Sequence, residues 1–188
     1  MIVRRVEASN KIMYNVDLSD ELIRKNLEEA GVNIIAVAKA EVKRMISSMT
    51  DFYIQQKLSS IDEDLADITS EAQIIEGRIL YLAAKENVSI TTDEVKQKIA
   101  LFIAGSYTEQ DAVNELKEKG LSDETIQKIL PLLARGVEIA KILNWKEAIW
   151  KAEEKLESQI DSMTIEQLLQ LDVKALCETT YAEIPLEV

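Results

Sequence analysis

Apolar and polar positions alternate with two different periods along this chain, and the change falls early. Ile2, Val3 and Val6, then Ile12, Met13, Tyr14 and Val16, flank Ala8-Ser9-Asn10-Lys11. Asn and Ser between two β-rich runs suit a tight turn, so residues 1–18 admit a small β-hairpin. A lone two-stranded hairpin is marginal in water, so it requires the rest of the chain or another subunit to lie against.

From residue 19 onward the period is helical. Ser19-Asp20-Glu21-Leu22 opens a short helix with Leu22, Ile23 and Leu27 on one face and Gly31 at its C-terminal cap. Ala38, Val42, Met45, Met49 and Phe52 follow in steps of 4 and 3 and are expected in the core. Ile61, Leu65, Ile68, Ala72, Ile75, Ile79 and Leu82 repeat that step without interruption, a coiled-coil-like stripe. A helix over 61–86 would be roughly 39 Å long, more stripe than a short neighbour covers. The spacing therefore predicts an antiparallel helical hairpin, 34–58 against 61–86, enforced by the few residues between them.

Residues 91–136 read as a module of short helices. Thr91-Thr92-Asp93-Glu94 has capping-box spacing, Thr108-Glu109-Gln110-Asp111 opens a second helix, and Ser122-Asp123-Glu124 opens a third containing Pro131. Gly105, Gly120 and Gly136 are placed to close them. A second long helix is expected over 137–160, with Ile142, Trp145, Ile149, Ala152 and Leu156 on its inner face. Trp150 lies about 140° from Trp145 around that helix, so one ring belongs to the core and the other to an edge or a partner. Thr164 caps a further helix with Leu168, Leu169 and Leu171, residues 173–181 add a turn or two, and Pro185 keeps the tail extended. The fold class is thus all-α, divided as 1–18, a helical body 19–160 (19–86, 91–136 and 137–160) and an acidic segment 161–188.

Composition agrees and removes chemistry. Only five glycines and two prolines occur in 188 residues, too few for the turns of a sandwich or barrel. Without histidine, His-based triads, general bases and His-ligated metals are excluded. Cys177 stands alone, so no intrachain disulfide forms; without a base it reads as a small buried hydrophobe.

The formal charge is −12, which disfavours nucleic-acid backbones. The acidic excess lies in 61–105 and 161–188, a source of solubility or a patch for a basic partner. No apolar run spans a membrane, and residues 1–6 lack a signal-peptide core, so a cytoplasmic or virion location is expected. No phosphate-cradling glycine loop occurs.

Carboxylates are the remaining candidate chemistry. Asp62, Glu63, Asp64, Asp67 and Glu71 fall on adjacent turns, and Asp64 with Asp67, or Asp67 with Glu71, shares a face suited to magnesium or calcium. Read plainly, the group is a solvated face opposite the heptad stripe. Glu147, Glu153, Glu154 and Glu157 interleave with Lys146, Lys151 and Lys155 as ordinary helix-surface pairs. No catalytic, cofactor-binding or metal residue is assigned.

The expected function is therefore non-enzymatic: a structural or assembly protein acting through helix-mediated contacts with protein partners, as a homo-oligomer or larger assembly. The stretch Ile99–Arg135, with Ala104-Gly105, Thr108, Ala112, Leu116, Gly120-Leu121-Ser122 and Ile126, resembles helix–turn–helix units in structural proteins of tailed phages and archaeal viruses. That resemblance implies a virion component. Residues 74–143, from Ile74-Ile75-Glu76 through Val88–Val95 to Lys141-Ile142-Leu143, are similar to helical domains of parvulin-type chaperones and trigger factor. That one implies binding of unfolded apolar segments. A small carboxylate–metal enzyme using Asp64 and Asp67 is the third alternative.

Overall fold

The computed structural model describes residues 1–8 and 11–187. Among them, two antiparallel strands precede eight helices, so the protein is all-α with an N-terminal β-hairpin. The strands are β1 (Ile2–Ala8) and β2 (Lys11–Asp17). The helices are α1 (Glu21–Glu29), α2 (Ile34–Ser59), α3 (Leu65–Lys85), α4 (Thr92–Ile103), α5 (Glu109–Glu118), α6 (Asp123–Asp161), α7 (Ile165–Gln170) and α8 (Val173–Ala182). By internal packing the chain forms two compact units, Met1–Ile54 with Ala148–Pro185, and Gln55–Glu147 with Leu186–Val188. The long helices α2 and α6 contribute residues to both.

In the first unit, β1 and β2 pair in register from Ile2↔Asp17 to Ala8↔Lys11; the turn expected at Ser9-Asn10 lies outside the described residues. Val3 and Val6 are fully buried, and the Arg4 N–H donates to Glu41 Oε2 of α2 at 3.5 Å. Burying each valine contributes about 1.5–3 kcal/mol, which is what a hairpin marginal by itself requires. Asp20 caps α1 by accepting from the Leu22 and Ile23 N–H groups. Only Leu27 of the expected face is buried in α1, while Leu22 is 66% exposed.

The buried face of α2 corrects the expected one. Ile34, Ala38, Val42, Ile46, Thr50, Ile54 and Leu58 are buried, whereas Met45 and Phe52 are exposed and Met49 only half-buried. Steps of 4 advance the stripe by about 40° each, so the covered face winds around the helix as its neighbours change. A heptad reading assumes one unchanging neighbour, so it places Ala38 and Val42 correctly and leaves the buried face from Met45 onward. Thr50 also hid the true stripe, being a polar residue in its middle.

In the second unit, α3 begins at Leu65 because Asp64 caps it, accepting from the Ala66 and Asp67 N–H groups. Ile61 therefore falls outside the helix, and Ala83 rather than Leu82 completes the buried stripe of Ile68, Ile75 and Ile79. Thr91 and Thr108 both form capping boxes, with Glu94 and Asp111, as their spacing predicts. Gly105 and Gly120 take positive φ past α4 and α5, the conformation that glycine adopts without strain.

Gly136 is different. It lies inside α6, which runs unbroken from Asp123 to Asp161 through both Pro131 and Gly136. A Cβ there would sit 2.9 Å from Ile99 Cδ1 and 3.7 Å from Ile75 Cγ2. The glycine thus admits α4 close to α6 instead of ending a helix, and the two helices expected at 122–136 and 137–160 are one. Trp145 is 5% exposed and Trp150 42%, the division expected of two rings on different faces.

Candidate functional site

Two of the carboxylates at 62–71, Glu63 and Glu71, come together, but around a cation from their own chain. Arg135 of α6 donates to Glu71 at 2.7 and 3.1 Å, pairs with Glu63 at 2.7 Å, and reaches Glu138 at 3.2 Å. The guanidinium holds the Glu71 carboxyl below its ordinary pKa, chiefly through that hydrogen bond. Asp64 is spent on the α3 cap. Asp64 and Asp67 do not join a third ligand: among the described residues no three carboxylates or thiols converge as a metal site would require. Elsewhere in the unit, acids serve as caps and clamps. Glu86, at the end of α3, accepts from the Ser122 N–H at 2.7 Å and from the Thr125 hydroxyl at 2.6 Å, anchoring the start of α6. Glu94 accepts from Lys119 at 2.8 Å, tying α4 to α5.

Cys177 is buried in the first unit beside Tyr181, and burial pushes its thiol pKa up, away from a reactive thiolate. Glu153 and Glu154 of the second carboxylate group lie on the α6 surface, half-buried and exposed, together with the exposed Lys155.

What sequence reasoning missed is a cleft. In the second unit, α3, α4 and α6 enclose about 300 Å³ between Ile75, Ile99, Ile103, Ile139 and Leu143. Small side chains at Ala72, Ala100 and Ala140 keep it open. Its polar groups are few: Asn144, and Glu76 paired with Lys96 at 3.6 Å. Three alanines within otherwise bulky helical faces were the available signal, but alanine is also the commonest helix former and so carried no distinctive message. The first unit has a hollow of about 530 Å³ edged by Glu21, Lys25, Glu28 and Glu166, in which Arg24 is committed to the Leu18 and Ser19 carbonyls at 2.6 and 3.3 Å.

Apolar side chains also reach solvent. On the hairpin Ile2, Ile12 and Tyr14 are 61%, 47% and 67% exposed; on α3, Ile74 and Tyr81 are 55% and 61% exposed. No helix is long and apolar enough among the described residues to cross a membrane. No family model, curated protein or solved structure matches this chain.

Proposed function

We propose that this chain is a non-enzymatic assembly protein that binds protein partners, further copies of itself among them, through apolar surfaces on its helices and hairpin. The cleft between α3, α4 and α6 carries the reading. An apolar recess with a thin polar rim is suited to the side chains of a partner helix, which bring the apolar area and leave the ion pair at the edge undisturbed. Its extent argues for a few anchoring side chains: the lining comes from short stretches of α3, α4 and α6, a local recess and not a cradle running along the protein. Anchoring therefore fits better than chaperone-like cradling. The resemblance of residues 99–135 to virion structural proteins makes a virion component the more specific form of this proposal. The carboxylates that an enzyme would need are already engaged, Asp64 in the α3 cap and Glu63 and Glu71 with Arg135.

Light scattering coupled to size-exclusion chromatography tests it. The full chain is expected to form a defined oligomer. Ala100→Trp, which fills the cleft from an exposed position, should fail to reach that mass while keeping its helical circular dichroism. A chain that stays monomeric at every concentration, or an Ala100→Trp variant that associates unchanged, would overturn the reading.

A further inference from the structure

We propose that the hairpin of one copy docks in the cleft between α3, α4 and α6 of the next, with Ile12 and Tyr14 in the recess and Arg5 and Glu7 along the Glu76–Lys96 pair. This contact rests on the assembly reading, and between copies of the chain it seats a hairpin where a foreign partner would offer a helix.

The register of the hairpin puts these four side chains on one face. Arg5 stands opposite Tyr14 and Glu7 opposite Ile12, and directly opposed residues of an antiparallel pair share a face. Val6, between Arg5 and Glu7, is buried on the other face, opposite the half-buried Met13. The Arg5 guanidinium binds the Glu7 carboxylate two residues on, as side chains two apart on a strand can. All four are exposed, so their own chain leaves them uncovered. The face is therefore two large apolar side chains beside one ion pair.

The cleft has the same two parts. Ile75, Ile99, Ile139 and Leu143 form its apolar lining, and Glu76 of α3 pairs with Lys96 of α4 at 3.6 Å along its edge. Asn144 offers the Tyr14 hydroxyl a polar partner in an otherwise apolar site, a combination that suits tyrosine.

Charge selects the occupant and its orientation. Two chains of net charge −12 repel each other, so copies associate where a cation-rich surface meets an acidic one. The hairpin carries Arg4, Arg5 and Lys11 against Glu7 and Asp17, and Asp17 is already held by the Met1 amine and Ser19. Residues 61–105, which supply the α3 and α4 walls, hold an excess of acid. With Arg5 beside Glu76 and Glu7 beside Lys96, the four charges alternate in sign. Turned end for end, the hairpin sets Arg5 against Lys96 and Glu7 against Glu76, which repels. The hairpin belongs to the first unit and the cleft to the second, so the contact joins unlike surfaces. Copies linked this way run head to tail, into a ring or a filament.

Sedimentation of the full chain over a range of concentrations is the test. Ile12→Thr/Tyr14→Thr keeps β-forming residues in β2 and should raise the dissociation constant about tenfold or more. Mixing that variant with Ala100→Trp is the deciding measurement. Each should be monomeric alone, and together they should form a one-to-one dimer and nothing larger, because one intact hairpin meets one intact cleft. Misfolding cannot imitate that result, since the mixed dimer needs both chains folded. Arg5→Glu/Glu7→Arg should weaken association about tenfold, and adding Glu76→Lys/Lys96→Glu to the same chain should restore it. A mixture that stays monomeric, or a reversed cleft pair that restores nothing, would overturn the proposal. If Ile12→Thr/Tyr14→Thr keeps the native oligomer while Ala100→Trp loses it, the hairpin is not the occupant and the assembly reading stands. A native chain that never associates overturns both.

Discussion

The Tyr181 hydroxyl lies 2.6 Å from Thr50 Oγ1, joining residues 131 positions apart, and both side chains are almost wholly buried. Thr50 Oγ1 also donates to the Ile46 carbonyl at 3.0 Å, so its single proton is used and Tyr181 must be the donor between them. Tyr53, half-buried, adds a hydroxyl bond to the Tyr181 carbonyl at 3.2 Å and a tilted ring contact at 5.3 Å. This group fastens α8 to α2.

Its directionality gives an order of stabilities. Tyr181→Phe removes a hydrogen bond but leaves Thr50 satisfied by Ile46, a loss of about 1 kcal/mol. Thr50→Val keeps the shape and leaves the buried Tyr181 O–H only the weakly accepting Cys177 sulfur, a loss of about 1–3 kcal/mol. Urea unfolding should therefore rank Thr50→Val as the more damaging change, with Thr50→Val/Tyr181→Phe less harmful than the sum. The reverse ranking would mean that the proton runs the other way.

Arg135 decides between ion pair and metal site. Arg135→Gln should lower stability by about 1 kcal/mol, because three partly exposed carboxylates lose their cation. Millimolar magnesium or calcium should leave the melting temperature of the native chain unchanged. A metal-dependent rise that disappears in Asp64→Ala/Asp67→Ala would return these residues to the carboxylate–metal reading.

Glu94 predicts part of the acid limb of unfolding. Lys119, and then the Thr91 N–H and hydroxyl, lower its pKa to about 2. A depressed carboxylate stabilises the fold fully above its unfolded value, about 4.3, and that contribution fades as pH falls through the folded value. Between pH 4.3 and 2 the melting temperature of the native chain should therefore fall more steeply than that of Glu94→Gln, which keeps the capping box. Parallel slopes in scanning calorimetry would contradict the assignment.

The candidate site was only partly readable. The carboxylate group at 62–71 is visible as a string of acids, but its counter-ion is Arg135, 64 positions beyond Glu71. The cleft consists of what is missing at Ala72, Ala100 and Ala140, and a space shows only once helices from three parts of the chain surround it.

Caps and turns follow from the sequence by itself. Asp20, Thr91, Thr108 and Thr164 start their helices where their side chains meet N–H groups two or three residues on, a contact no distant residue can alter. Which faces are buried was decided in three dimensions. Thr50 enters the core because Tyr181 offers it a partner there, and Phe52 stays outside because no neighbour covers its side of α2. Gly136 could have ended a helix as Gly120 does; the approach of Ile99 made it a packing residue. Local hydrogen bonds need only nearby residues, whereas burial depends on which surfaces finally meet.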